Sequence, residues 1–259
     1  MTPPVKIATF NCNSVRVRLD DILDWLATND PDVLALQETK CDDSAFPALS
    51  FMEVGYQVAF HGQKTHNGVA LVSRVPFTQV QMGFSDPSMK DDKRVIAATF
   101  GDIRVINTYV PNGTAVRTEK WDYKMHWLEH FVGYLEKEIA THKNVLWLGD
   151  INIAPRPEDV YESERKLGMV GHHPDEFLRL NRIVDLGIVD LFRQFHQGAG
   201  HYTFWEFIRP MMFERNLGWR IDHIYATPEL AARCTSCEID KSLRETPRPS
   251  DHTAVIATF

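Results

Sequence analysis

The chain has 259 residues, 44% of them hydrophobic and 24% charged, with a formal net charge of −7. This composition excludes a disordered chain, and α/β chains of such length commonly close around one core, so residues 1–259 are expected to form a single domain. Nowhere do about 18 apolar residues run together, and Met1-Thr-Pro-Pro-Val-Lys-Ile lacks the basic end and apolar stretch of a secretion signal, so a cytoplasmic protein with no membrane partner is expected.

Lys6 to Phe10 and Val33 to Leu36 read as strands, being short apolar runs bounded by turn signals. Between them Val15, Leu19, Ile22, Leu23 and Leu26 recur at helical spacing, and Asn29-Asp30-Pro31 stops the helix because proline disfavours helical geometry in the preceding residue. Further strands are expected at Gln57 to Phe60, Gly68 to Ser73, Val95 to Phe100, Ile103 to Val110, Asn144 to Leu148, Ile221 to Ala226 and Thr253 to Phe259, with Gly101-Asp102 as a hairpin turn. A long helix is expected from Thr118 to His142, where Trp121, Met125, Leu128, Phe131, Leu135 and Ile139 share one stripe, and another from Glu176 to Leu186. Helices alternate with hairpins, so the fold class is α/β with mixed or antiparallel sheets. Two packed sheets with helices outside is the simplest arrangement that buries every apolar face.

Six polar clusters end these apolar runs: Asn11-Cys-Asn13, Gln37-Glu38-Thr39, Tyr109-Val-Pro-Asn112, Asp150-Ile-Asn152, Arg220-Ile-Asp222-His223 and Ser250-Asp251-His252. A single Glu or Asp after a strand is ordinarily a surface charge or a helix cap. Four such acids, each with a polar neighbour, point instead to strand ends gathered at one sheet edge around a shared ligand. Carboxylate and amide oxygens are hard ligands suited to Mg²⁺ or Mn²⁺, while Asn, Tyr and His can hold a phosphate. Glu38 is the first candidate for the metal. Asp150, after Val145-Leu-Trp-Leu-Gly149, is placed to orient or deprotonate a water, since a carboxylate at an apolar edge has a raised pKa. Asn152 and Tyr109 are placed to donate to a phosphate. His252 would hold charge developing on phosphorus, with Asp222 fixing its tautomer. Phe204, Trp205, Trp219 and Ile221 form an apolar group whose default is core packing; lining a pocket beside Asp222, it could receive a sugar without its base or stack against a flipped nucleotide. Together these read as a metal-dependent phosphodiesterase.

The acidic balance counts against a nucleic-acid partner taken as a whole. Even so, Lys40, Lys64, Arg74, Lys90, Lys93, Arg94, Arg117, Lys120, Lys124 and Arg209 could concentrate on one face; singly most read as ordinary solvated charges, and only their summed field could steer DNA. Cys234-Thr-Ser-Cys237 has the spacing of half a zinc site, but Cys12 and Cys41 form no second pair, and free thiols are expected.

The strings Leu36-Gln-Glu-Thr-Lys40, Tyr109-Val-Pro-Asn-Gly113, Gly149-Asp-Ile-Asn-Ile-Ala-Pro155, Tyr202-Thr-Phe-Trp205, Gly218-Trp-Arg-Ile-Asp-His223 and Pro249-Ser-Asp-His252 resemble, in order and spacing, those of the exonuclease III and AP endonuclease family. The resemblance covers essentially the whole chain. It implies a DNase I-like four-layer sandwich and Mg²⁺-dependent cleavage of double-stranded DNA 5′ to an abasic site, with 3′→5′ exonuclease and 3′-phosphatase activities at damaged or recessed 3′ ends, and a monomer is expected. By motif match it implies Glu38, Asn13, Asp251 and Asn11 around the metal. Tyr109, Asn112 and Asn152 fall on the phosphate, Asp150 as the water-activating or proton-donating carboxylate, Asp222 with His252 as a carboxylate–imidazole pair, and Phe204, Trp219 and Ile221 on the abasic sugar. Some relatives have an acid where this chain has Asn13, and others a Leu in place of Trp219. A same-fold phosphoesterase acting on another substrate and a catalytically silent DNA-binding module are the competing readings. The silent module would require loss of Glu38, Asp150 or His252, and all three are present.

Overall fold

The computed structural model describes residues 5–84, 86, 89, 92–207 and 211–259. Among them twelve strands form two six-stranded sheets. The first sheet runs, in spatial order, β11 (Ser236–Asp240), β12 (Ala254–Thr258), β1 (Lys6–Asn11), β2 (Val33–Gln37), β4 (Val69–Ser73) and β3 (Gln57–His61). The second runs β5 (Phe77–Met82), β6 (Val95–Phe100), β7 (Ile103–Tyr109), β8 (Asn144–Asp150), β10 (Asp222–Ala226) and β9 (Val189–Asp190). Each sheet contains one parallel pair, β1 with β2 and β7 with β8, and is otherwise antiparallel. Parallel neighbours need a long crossover. Helix α1 (Leu19–Asn29) supplies the first and, after the short α2 (Ala48–Glu53), α3 (Glu119–Thr141) supplies the second.

Side-chain alternation assigns the layers. Ile7, Val33, Ala35, Val105, Leu146, Leu148, Ile224 and Val255 face inward and form the core between the sheets. Their neighbours Ala8, Phe10, Leu34 and Leu36 face outward onto Ile22, Trp25 and Leu26 of α1 and Phe51 of α2. On the opposite side, Ile106, Val145 and Trp147 pack under Leu128, Phe131 and Leu135 of α3. With them lie Leu180 and Ile183 of α5 (Pro174–Val184), which follows the short α4 (Ser163–Lys166). The result is helix, sheet, sheet, helix.

The expected strands and helices all form, with small shifts at their ends. The third expected helix begins at Pro174, ahead of Glu176, because His173 and Glu176 complete a reciprocal cap. It ends at Val184 with Asp185 as its cap. Val15 lies ahead of α1, which starts at Leu19. Strands β5, β9 and β11 were not expected. β5 is an edge strand with mostly exposed side chains, and β9 has two residues, so neither carries an apolar pattern.

One polar layer crosses the inter-sheet core. Gln37 Nε2 donates to Thr9 Oγ1 at 2.9 Å and to Asn107 Oδ1 at 2.7 Å. Asn107 Nδ2, from the other sheet, donates to the carbonyls of Leu36 and Ala70, both at 2.9 Å. All are buried, so losing one partner leaves desolvated polar groups. Asn107→Ala is expected to destabilise the fold by about 1–3 kcal/mol, read as a lower urea midpoint at unchanged slope. An unchanged midpoint would show that this layer does not hold the sheets together.

Candidate active site

Extending the inward-facing parity to the strand ends places Asn11, Tyr109, Asp150 and Asp222 at one open edge between the sheets. Register brings them together: Asn11 is opposite Gln37, Tyr109 opposite Asp150, and Asp150 opposite Asp222. β8 approaches β7 closely here. A Cβ on Gly149, whose φ is +135°, would stand 2.0 Å from the Thr108 carbonyl oxygen. Just beyond the strands, Asn13 (φ 44°), Glu38 (φ 52°) and Asn152 (φ 54°) take left-handed backbone, a conformation that non-glycine residues adopt at a cost and that concentrates at functional sites.

Asn11 is the hub. Its Nδ2 donates to Glu38 Oε1 at 2.9 Å and to Asp150 Oδ2 at 2.8 Å, and its Oδ1 accepts from the Asn13 backbone at 3.1 Å. Its amide thus bridges the two carboxylates of the network in which it was expected beside the metal. Lys40 Nζ lies 2.7 Å from Glu38 Oε2 and 2.5 Å from Asn13 Oδ1, and Asn13 Nδ2 donates to Asp251 Oδ1 at 2.9 Å. Glu38, Asn13 and Asp251 are thus joined in one network, and Glu38, Asp150 and His252 offer donor atoms within 4.8 Å of one another. This oxygen-rich set fits a hard divalent cation.

The electrostatics divide the roles. Burial raises the Asp150 carboxyl, as do Asp222 and Glu38, while His252 and Asn11 oppose; the outcome is about 7. Burial works against the His252 imidazolium, yet Asp222 and Asp150 outweigh it and lift His252 to about 10. His252 Nδ1 is 2.8 Å from Asp222 Oδ2, which leaves Nε2 facing Asp150 Oδ2 at 3.8 Å. Glu38 stays below the ordinary carboxylate range: burial pushes it up, but Lys40, Asn11 and His252 prevail. Tyr109 is held well above its usual value by burial and by the Glu38 and Asp150 charges, so its phenol remains a neutral donor, with the Arg94 guanidinium 4.6 Å from the ring centre.

Asn152 donates from its backbone to Asp150 Oδ1 at 2.9 Å, and Asn112 Nδ2 donates to Asn152 Oδ1 at 3.0 Å. Both line a cavity of about 440 Å³ walled by Phe204, Trp219, Ile221 and Gly171. Phe204 is stitched by backbone pairing between Trp219 and His252, and its ring lies 4.9 Å from the imidazole, so the cavity adjoins the carboxylate cluster. Trp205, expected in the same pocket, does not line it. As the next residue on an extended segment it points the other way and is fully buried with Tyr202 and Met212.

Among the described cations that could share a basic face, Arg74 and Lys124 stand apart. Arg74 ion-pairs with Asp30 and Asp32 beside Ser73, at the opposite end of β4 from Val69, which pairs with Gln37. Lys124 is completely buried against Glu176 at 2.5 Å. Arg117 and Lys120 are exposed near the cavity, whereas Lys90 and Arg209 lie outside the described residues. Sequence reasoning missed three supports. Thr203 Oγ1 accepts from the backbones of Ile221 and Asp222, each at 3.1 Å. Lys124 is the second, and its only signal was a cation on an otherwise apolar helical face. Arg220, the third, is buried between Asp159 (2.7 Å) and Asp190 (2.7 Å) and anchors the entry to β10.

Against the burial that would raise it, Arg220, His223 and Arg193 hold Asp159 down at about 2. A carboxyl lowered on folding stabilises the fold above its unfolded pKa and loses that contribution as pH falls through the folded value. Stability is therefore expected to fall by roughly 2 kcal/mol between about pH 4 and pH 2 from this group. Asp159→Asn should flatten the fall, and an unaltered acid limb in that variant would contradict the assignment.

No helix among the described residues is long and apolar enough to cross a membrane. The Endonuclease/Exonuclease/phosphatase family model matches residues 8–252. Exodeoxyribonuclease III of Haemophilus influenzae is 35% identical over 266 residues, covering 98% of this chain and 100% of that protein. Among solved structures, a 3′ phosphatase from Neisseria bound to a product DNA hairpin superposes with TM-score 0.95 at 40% identity, covering 98% of this chain and 99% of that one. An AP endonuclease from Archaeoglobus fulgidus superposes with TM-score 0.94, also at 40% identity and the same coverage. The expected DNase I-like architecture is thereby met, and the chain belongs to the Endonuclease/Exonuclease/phosphatase family.

Proposed function

We propose that this chain is a divalent-cation-dependent DNA-repair nuclease that hydrolyses the phosphodiester 5′ to an abasic site and processes 3′ termini. The observation that carries the reading is the Glu38–Asp150–His252 cluster beside a largely apolar cavity of about 440 Å³. A same-fold phosphoesterase for another substrate would have no use for that cavity. The relatives named above, an exodeoxyribonuclease, a 3′ phosphatase and an AP endonuclease, support DNA as the substrate.

Glu38, with Asn13 and Asp251, would hold Mg²⁺, with Mn²⁺ as a substitute. When bound, the cation supplies Lewis-acid polarisation of a phosphate oxygen. Asn112, Asn152 and the neutral Tyr109 hydroxyl orient the phosphate. Asp150, its carboxyl raised by burial, takes a proton from the attacking water. The water oxygen bonds to phosphorus while the P–O3′ bond breaks and the leaving O3′ takes a proton from solvent, and His252, kept as imidazolium by Asp222, stabilises charge on the phosphoryl oxygens. Phe204, Trp219 and Ile221 enclose a sugar that carries no base.

Labelled duplexes bearing an internal abasic analogue, a recessed 3′ end or a 3′-phosphate, assayed with Mg²⁺ and with chelator, test this directly. Metal-dependent cutting at the abasic analogue is expected. Cleavage confined to 3′ termini would remove abasic incision from the assignment, and cleavage that persists in chelator would remove the cation.

A further inference from the structure

Three loops meet at the substrate cavity: the one after β7 with Asn112, the one after β8 with Asn152, and the one before α5 with Met169 to Gly171. One buried ion pair touches all three. Lys124 Nζ donates to the backbone carbonyls of Asn152 at 2.8 Å and Asn112 at 3.2 Å, and to Glu176 Oε1 at 2.5 Å. Glu176 Oε1 also accepts from the Gly171 backbone at 3.1 Å, and Oε2 from the His173 backbone at 3.0 Å. Gly171 in turn accepts from Ala154 at 2.7 Å, closing the ring of contacts. Both side chains are fully buried.

Burying a lysine and a glutamate to join two helices is a poor way to gain stability, because desolvation offsets the attraction and apolar replacements of both partners are often neutral or better. The pair does something an apolar pair cannot, which is to fix three loop backbones by directed hydrogen bonds. We propose that Lys124 and Glu176 are positioning residues for the substrate: they set the spacing between the Asn112 and Asn152 amides and the Gly171 wall of the sugar cavity. The inference rests on the reading of Asn112 and Asn152 as phosphate-binding groups.

Lys124→Met alone leaves the Glu176 charge buried without its partner and is expected to lower the melting temperature. The double variant Lys124→Met, Glu176→Met removes both charges at similar volume and is expected to recover most of it. If the pair positions the loops, cutting of the abasic duplex by the folded double variant stays depressed by about 10–100-fold in kcat/KM. Mn²⁺ affinity measured by calorimetry is expected to be unchanged, because the Glu38 network is untouched. Wild-type kcat/KM in the folded double variant would overturn the proposal. Should the double variant fail to fold, Lys124→Arg decides. It keeps the charge, but its planar fork cannot reproduce three divergent bonds, so depressed cutting at wild-type melting temperature supports positioning and wild-type cutting overturns it. Asn152→Ala separates the two levels of inference: if it cuts normally, the phosphate assignment itself has failed.

Discussion

Asp150→Asn is expected to lower abasic-duplex turnover by at least about 10³-fold, within the range attributed to one general base, while duplex binding is retained. Asp150 sits at the junction of both sheets, with a pKa of about 7 set by burial and by Asp222 and Glu38, where it can take up the water's proton. An amide has no such capacity at any working pH. The substitution also has a structural consequence. Asp150 accepts from Asn11 through Oδ2 and from the Asn152 backbone through Oδ1, and an asparagine can satisfy only one of those donors. A loss of about 1–3 kcal/mol in stability is therefore expected alongside the rate effect. Fluorescence anisotropy with a labelled duplex, set beside single-turnover cleavage, separates the two. Normal cleavage in this variant would refute the role of base, and lost binding would recast Asp150 as a substrate-holding group.

Glu38→Gln is expected to weaken divalent-cation binding and to cut turnover by roughly 10²–10⁴-fold, as losing a few kcal/mol of Lewis-acid stabilisation would require. Glutamine preserves the acceptor for Asn11 but removes the charge, so the fold around the hub should persist. Lys40 then loses its carboxylate partner and retains Asn13. Calorimetric titration with Mn²⁺ should show the affinity fall in step with activity. Unchanged Mn²⁺ affinity would move the cation elsewhere in the cluster.

The sequence disclosed the site's membership better than its supports. Asn11, Asp150 and Asp222 were legible because alternation along a strand carries an inward parity from apolar residues to the strand end, and the six polar clusters sit where those runs stop. Trp205 was misplaced because neighbours on an extended segment face opposite sides, and nothing local says which of Phe204 and Trp205 turns to the cavity. Lys124 read as a surface cation because its partner Glu176 is 52 positions away and on another helix. Arg220 drew notice only as part of a polar cluster. Its partners Asp159 and Asp190 meet it only after the second sheet has assembled. Strands β5 and β9 left no apolar trace, one being an exposed edge and the other only two residues long.

The central claim is that groups as distant in the chain as Asn13, Glu38 and Asp251 gather around one divalent cation. Anomalous diffraction from Mn²⁺-soaked crystals tests it most directly. A manganese peak in contact with the Glu38 carboxylate and within reach of Asp251 is the predicted result; a peak elsewhere, or none at Glu38, would contradict the account.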